Sequence, residues 1–222
     1  MNDSRNGLWR DPLELCSRLG YRLHTLFLAW TYPFASFGKG VRIHRSCDLK
    51  KASAKYISIG DRVLIERNTW FNVPEASKDR AVIILEDDVK FQRGCIISGR
   101  NAIHIGQNSM VGPSAFITDH LHAFEDVTTP IANQGITPGG TIRIEEGCWI
   151  GFGAAIVCSE GELVVGRNSV IGSNSLVTRS VLPYSVVVGN PARIVKRYDP
   201  LSKRWVLGAG STSTPATVLN PG

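Results

Sequence analysis

Within "ITDHLHAFEDVTTPI", Ile117 to Ile131, two histidines and three acids fall close together: Asp119, His120, His122, Glu125 and Asp126. Imidazole titrates near neutral pH, so it can take a proton from a hydroxyl or an amine as that group attacks. A neighbouring carboxylate can hold the ring in the tautomer that leaves its other nitrogen bare. His120, directly after "ITD", is the candidate base, Asp119 a candidate orienting group and His122 a second candidate base. Which carboxylate would do the orienting is open at this level. An isolated histidine is more often a surface or core residue, but these stand where a regular pattern breaks off.

That pattern must position them. Aliphatic or aromatic residues recur every sixth position in ten segments: "IGDRVL" and "IERNTW" from Ile59, "LEDDVK" and "FQRGCI" from Leu85, "IGQNSM" and "VGPSAF" from Ile105, "IEEGCW" and "IGFGAA" from Ile144, "VGRNSV" and "IGSNSL" from Val165. A period of six is neither helical nor that of a simple amphipathic strand; it is an internal repeat. Each hexad predicts a short strand and a tight turn, with the first residue inward and a small residue near the fifth position. Gly or Asn at the corners tolerates unusual backbone angles. Three faces make a triangular coil of about eighteen residues, and stacked coils bury a continuous aliphatic ladder.

The flanks differ. Asp11 followed by Pro12 is a helix start, and Leu15, Leu19, Leu23, Leu26 and Trp30 recur at helical spacing, which predicts an amphipathic helix over 11–30. It would pack on the main domain or on a neighbouring subunit; the sharper alternative is peripheral membrane contact, because basic and aromatic residues flank the apolar face. The stretch Gly208 to Gly222 is small, polar and Pro-containing, so it reads as dispensable.

The totals set bounds. A chain of 222 residues with 43% hydrophobic residues suits one domain with short attachments. Cysteines at 16, 47, 95, 148 and 158 show no CxxC pair or Cys/His ligand spacing, so no metal site and no disulfide framework is expected, only reduced and mostly buried thiols. Asp3, Asp11 and Glu14 do not suit a signal peptide, and "LFLAW" is short. Nothing approaches the roughly 20 apolar residues of a membrane span. The formal charge of +6 admits nucleic acid, an anionic membrane or a phosphorylated ligand; eight basic and three acidic residues lie between Lys39 and Arg67. No nucleic-acid-binding signature accompanies the charge, and no nucleic-acid partner is expected.

Ten in-phase hexads resemble the hexapeptide-repeat family, whose fold is a left-handed parallel β-helix. The C-terminal stretch "VVGRNSVIGSNSLVTRSVLPYSVVVGNPARIVKR", with Pro183 to Arg193 as its sharpest part, is similar to acetyl-CoA-dependent O-acetyltransferases of the maltose, galactoside and surface-polysaccharide type. The resemblance covers residues 37–198, leaving an N-terminal extension over 1–36 and a flexible tail over 199–222. It implies an all-β left-handed parallel β-helix with an N-terminal α-helix, a projecting active-site loop over 118–141, a homotrimer with sites between subunits, and acetyl-CoA as co-substrate. The acceptor it implies is a sugar or glycolipid of polysaccharide or lipopolysaccharide biosynthesis. A cytoplasmic setting, peripheral to the inner membrane if the helix binds lipid, would follow from the donor.

The same resemblance implies roles. His120 matches the catalytic base. Trp149 matches a tryptophan near the pantetheine or adenine end, with core packing as its ordinary alternative. Ser173 stands where backbone contacts to CoA amides are made, and Thr178 with Arg179 matches a Thr-Lys pair near the cofactor. Arg193 and Lys196 match basic residues for the CoA phosphates. The sequence departs from the family at "IVCSEGELVVG", Ile156 to Gly166, three residues longer than the usual "ILPGVTIG", and at Phe152, where a small residue is usual. Both lie next to the expected CoA tunnel and bear on the acyl group. Three alternatives share the fold. A γ-type carbonic anhydrase would need metal-ligating spacing that His104, His120 and His122 do not reproduce. A non-catalytic scaffold would not need the loop histidines. A sugar N-acetyltransferase is not separated from the O-acetyl reading by any residue.

Overall fold

The computed structural model describes residues 12–76 and 80–208. Short parallel strands stack into three flat faces around one core, wound as a left-handed coil. The first face runs from Ser36–Phe37 to Glu162–Val165 and the third from Asp48–Leu49 to Leu176–Val177. The second runs from Arg42–Ile43 to Ser185–Val188 and then continues antiparallel through Arg193–Asp199 and Arg204–Leu207.

The hexads explain two of the three sides. The ten leading residues are no more than 2% exposed, and the ten fifth residues, Val63 to Ser175, no more than 1%. The fifth residue is small because it is sealed beneath the corner; where it is polar, it is satisfied there, as when the Ser109 hydroxyl donates to the Glu145 carbonyl at 3.1 Å. Corner residues such as Asn108 and Asn168 adopt left-handed backbone angles, and so does Gly147, where a Cβ would collide with Asn168 Oδ1. Most coils are longer than eighteen residues, although the last, from Ile171 to Val187, spans 16. Phe91 pairs with Val111 and Ile150 with Ile171, spacings of 20 and 21. The surplus lies on the run from the third face back to the first, which follows no hexad; hence the hexads come in pairs.

The helix occupies Pro12–Thr31 and closes the open edge of the first coil. The Ile43 amide, which has no earlier coil to pair with, donates to the Thr25 hydroxyl at 3.0 Å. Thr25 and Leu28 are buried, and Tyr21 donates to Glu66 at 3.1 Å and meets His44 edge-on. The face that seats is not the leucine stripe: Leu19, Leu23, Leu26 and Trp30 are exposed. Capping required hydrogen-bonding and slender groups, and the Thr25 side supplies them. Leu15 falls among residues whose side chains are not described.

Burial pushes both His24, on the helix, and His44, on the first coil, below the usual imidazole range; His44 adds to the effect on His24, and Arg67 to that on His44, with Glu66 opposing. Neutral rings are therefore favoured in the folded state. The unfolded chain binds more protons, so stability present above the ordinary histidine pKa is lost as pH falls through the lowered values. The expected result is a melting temperature that drops from about pH 7 to about pH 5, with a smaller drop in His24→Gln. Equal drops would show that these rings do not carry the effect.

The hairpin Arg193–Asp199 and Arg204–Leu207 carries the sheet beyond residue 198, where the sequence suggested a loose tail. Residues 209–222 lie outside the described residues, and so does the expectation made for them. The four described cysteines are free; burial pushes the Cys95 and Cys148 thiols up to about 11, so they are protonated and inert near neutral pH.

Candidate active site

The repeat breaks after the strand Phe116–Thr118 and resumes at Thr141–Ile144. The coil register is unaffected: Ile103–Ile105 pairs with Ile142–Ile144 across the excursion. The loop therefore leaves and rejoins at one corner, between the third and first faces.

Asp119 is the anchor of that corner. It is 0% exposed, and its carboxylate accepts the backbone N–H groups of Arg100 at 2.8 Å, Asn101 at 2.8 Å and Ala102 at 3.0 Å. Its Oδ1 also lies 3.0 Å from His120 Nδ1. An ionised carboxylate only accepts, so Nδ1 carries the proton and Nε2 is left bare. Nε2 lies 3.4 Å from the Ser98 hydroxyl, which accepts from Asn72 Nδ2 at 2.9 Å. His120 is 8% exposed and opens onto a cleft of about 280 Å³ lined by Trp70, Asn72, Ile96, Ser98, Phe116, Leu121, His122 and Ile136, among others. The cleft is apolar along the third face and polar only beside the imidazole, which suits a ligand with one reacting polar group.

The return of the loop is tied to the same corner. Arg100 donates to the Thr137 carbonyl, and Asn101 Nδ2 to the carbonyls of Pro138 and Gly140 at 2.8 and 3.0 Å. At Gly139, with φ +77, a Cβ would collide with the Asp119 carbonyl and crowd His120 Cβ at 3.2 Å.

The other acids of the loop serve the loop. Glu125 accepts the neighbouring Phe124 N–H at 3.0 Å. Asp126 is held down to about 2 by the Thr128 and Thr129 hydroxyls and the Thr128 N–H. Neither acid lines the cleft. His122 does line it, but is exposed and bridges Ile136 through its backbone. His104 lies on the first face, 2.8 Å from Glu86.

The cofactor candidates fall in separate places on one chain. Thr178, Arg179 and Arg193 line a second cleft of about 720 Å³ at the C-terminal end, with Arg197, which the sequence reading passed over. Lys196 is on the same hairpin but not among the residues lining that cleft. Trp149 points outward from the second face and is 50% exposed, so core packing is not its role. Exposed Phe152 and Ser173 stack one coil apart at the corner that follows, where Asn174 N–H donates to the Phe152 carbonyl. The longer "IVCSEGELVVG" segment turns at Gly161 beneath the loop base, where the Gly140 and Thr141 amides donate to the carbonyls of Cys158 and Gly161; it leaves the sheet register intact.

Ser98 and Asn72 were not singled out from the sequence. The signal was the strand register, which pairs Asn72 with Ser98 and Ser98 with Thr118 in one column that passes beside His120.

No family model matches the chain. A variant of AntD, an N-acyltransferase from Bacillus cereus solved with dTDP-4-amino-4,6-dideoxyglucose and coenzyme A, aligns with a TM-score of 0.65 and 18% identity, over 80% of this chain and 91% of that one. At that identity the likeness is one of architecture. Curated relatives carry the sequence likeness. A probable acetyltransferase of Mycobacterium tuberculosis is 31% identical over 72% of this chain and 48% of its own length. WbbJ of Escherichia coli, named for O-acetyl transfer in lipopolysaccharide biosynthesis, is 27% identical over 57% of this chain and 66% of its own length. The matched region thus spans about half to two thirds of these relatives. With its hexads, its left-handed coil and these relatives, the chain is similar to hexapeptide-repeat acetyltransferases.

Proposed function

We propose that the protein transfers an acetyl group from acetyl-CoA to a sugar hydroxyl, with a soluble or lipid-linked glycan precursor of surface polysaccharide or lipopolysaccharide as acceptor. One observation carries this reading: an imidazole fixed by a buried carboxylate, in the lining of a cleft, with its bare Nε2 beside Ser98 of the same lining. A sugar hydroxyl is a weak nucleophile at neutral pH. His120 Nε2 takes its proton as the oxygen bonds to the thioester carbonyl carbon. The C–S bond then breaks, and the proton passes from the imidazolium to the departing thiolate. Asp119 keeps the ring in the required tautomer and stabilises its cationic form. His122 stands at the cleft mouth, where it contacts the acceptor.

The donor set of the second cleft suits a phosphate-bearing ligand: Arg179, Arg193 and Arg197 offer guanidinium forks, and Thr178 a hydroxyl. In this reading these groups and Lys196 meet the CoA phosphates, while Trp149, Phe152 and Ser173 line the pantetheine path. Because one chain holds these parts apart from His120, the proposal includes a homotrimer in which one subunit supplies the base and its neighbour part of the donor site. The donor places the reaction on the cytoplasmic side.

The test is release of free CoA thiol from acetyl-CoA with a panel of sugars, nucleotide sugars, amino sugars and glycolipids. Turnover with hydroxyl acceptors is expected. Turnover with amino sugars alone would replace this reading with N-acetylation, and absence of both turnover and CoA binding would leave a non-catalytic scaffold.

A further inference from the structure

The helix Pro12–Thr31 has two working faces, and the second has no partner among the described residues. Tyr21, Thr25 and Leu28 seat on the first coil. Leu19, Leu23, Leu26, Phe27 and Trp30 are each more than half exposed, with Trp30 at 89%. At about 100° per residue these five side chains leave the helix opposite Leu28. Five large apolar groups on one stripe exceed the scattered exposure that soluble surfaces show.

The surroundings of that stripe are charged in one sense. The coil under the helix, residues 36–56, carries Lys39, Arg42, Arg45, Lys50, Lys51 and Lys55, all exposed, against the single acid Asp48. We propose that this end of the molecule docks on an anionic lipid surface, the helix lying in the interface with its leucine stripe and Trp30 among the acyl chains and the first coil facing the headgroups. No helix among the described residues is long and apolar enough to cross a membrane, so the contact is with one leaflet. An amphipathic helix backed by clustered cations is held by apolar burial and by attraction to anionic headgroups together. A second copy is a poorer occupant, because a symmetric contact through this face would bring two basic coils toward each other. The proposal is independent of the acyl-transfer reading: the seated face, not the catalytic corner, sets its geometry.

The experiment is co-sedimentation of the full chain with vesicles of phosphatidylcholine alone and of phosphatidylcholine with phosphatidylglycerol. Binding to the anionic vesicles only, weakening as salt rises, is expected. Leu23→Ser, Leu26→Ser and Trp30→Ser combined should reduce it by about tenfold or more, and Lys50→Glu with Lys51→Glu should reduce it without touching the helix. Unchanged circular dichroism and melting would show that the variants remain folded, since every substituted side chain is exposed. Failure of the full chain to bind anionic vesicles would overturn the proposal, as would unaltered binding by the triple variant. If the triple variant instead changes the sedimentation coefficient while the native chain ignores vesicles, the stripe is a contact between copies.

Discussion

His120→Ala lowers kcat by about 100-fold or more and leaves CoA affinity within about a factor of two. The ring lines the cleft with one nitrogen held by Asp119 and the other bare, and proton removal by a positioned base is worth that much. CoA binding should persist because no CoA-contact candidate depends on the ring: Arg179 and Arg193 lie in the other cleft, and Trp149 on another face. His122→Ala, at an exposed position, should raise KM more than it lowers kcat. Steady-state kinetics with CoA binding measured separately by calorimetry decide the matter. A His120→Ala enzyme that turns over normally beside an inactive His122→Ala enzyme would reverse the assignment.

Asp119→Asn is expected to harm both the fold and the reaction, although it keeps the shape. The carboxylate is surrounded by donors only: Arg100 N–H and His120 Nδ1 at Oδ1, Asn101 N–H and Ala102 N–H at Oδ2. An amide has one acceptor oxygen and one NH₂. Placed either way, the NH₂ confronts donors in a site with no exposure to water. A buried group stripped of its partner costs about 1–3 kcal/mol, and two such groups result, so a loss of about 3 kcal/mol of unfolding free energy is expected. If the ring instead turns to accept from the amide, Nε2 becomes protonated and can no longer act as base, so kcat falls by about 100-fold or more. Urea titration and kinetics together test this; a variant within about 0.5 kcal/mol of native stability would show that the carboxylate is not the anchor described.

The coil was legible because its two hexad sides are set by a local rule, an inward aliphatic residue and a sealed small residue, which shows in ten places. The third side was not, since from Ser98 to Ile103 the chain obeys only the need to return. The helix was legible, but not which of its faces seats. Leu23 and Leu26 look like the buried side until the free amide of Ile43 is seen to require Thr25. His120 and Asp119 could be read because they stand at the break in the repeat. Asn72 and Ser98 could not, because each is an ordinary polar residue at the end of a strand and joins the imidazole only when three coils are stacked in register. The residues matched to CoA contacts carry no local rule at all: Thr178 and Arg193 share a cleft, Trp149 does not, and no spacing along the chain could have told them apart.

The corner where the loop departs has a consequence for how such proteins diversify. Asp119 and His120 are held by the coil, through the amides of residues 100–102, whereas Leu121 to Ile136 hang from it. Sheet pairing on either side does not register the length of what lies between. Lengthening or exchanging such a segment changes closure entropy only logarithmically, about 0.6 kcal/mol for a doubling. Descendants of this chain can therefore trade the outer segment for another, while the buried carboxylate and the imidazole it holds pass unchanged from parent to offspring.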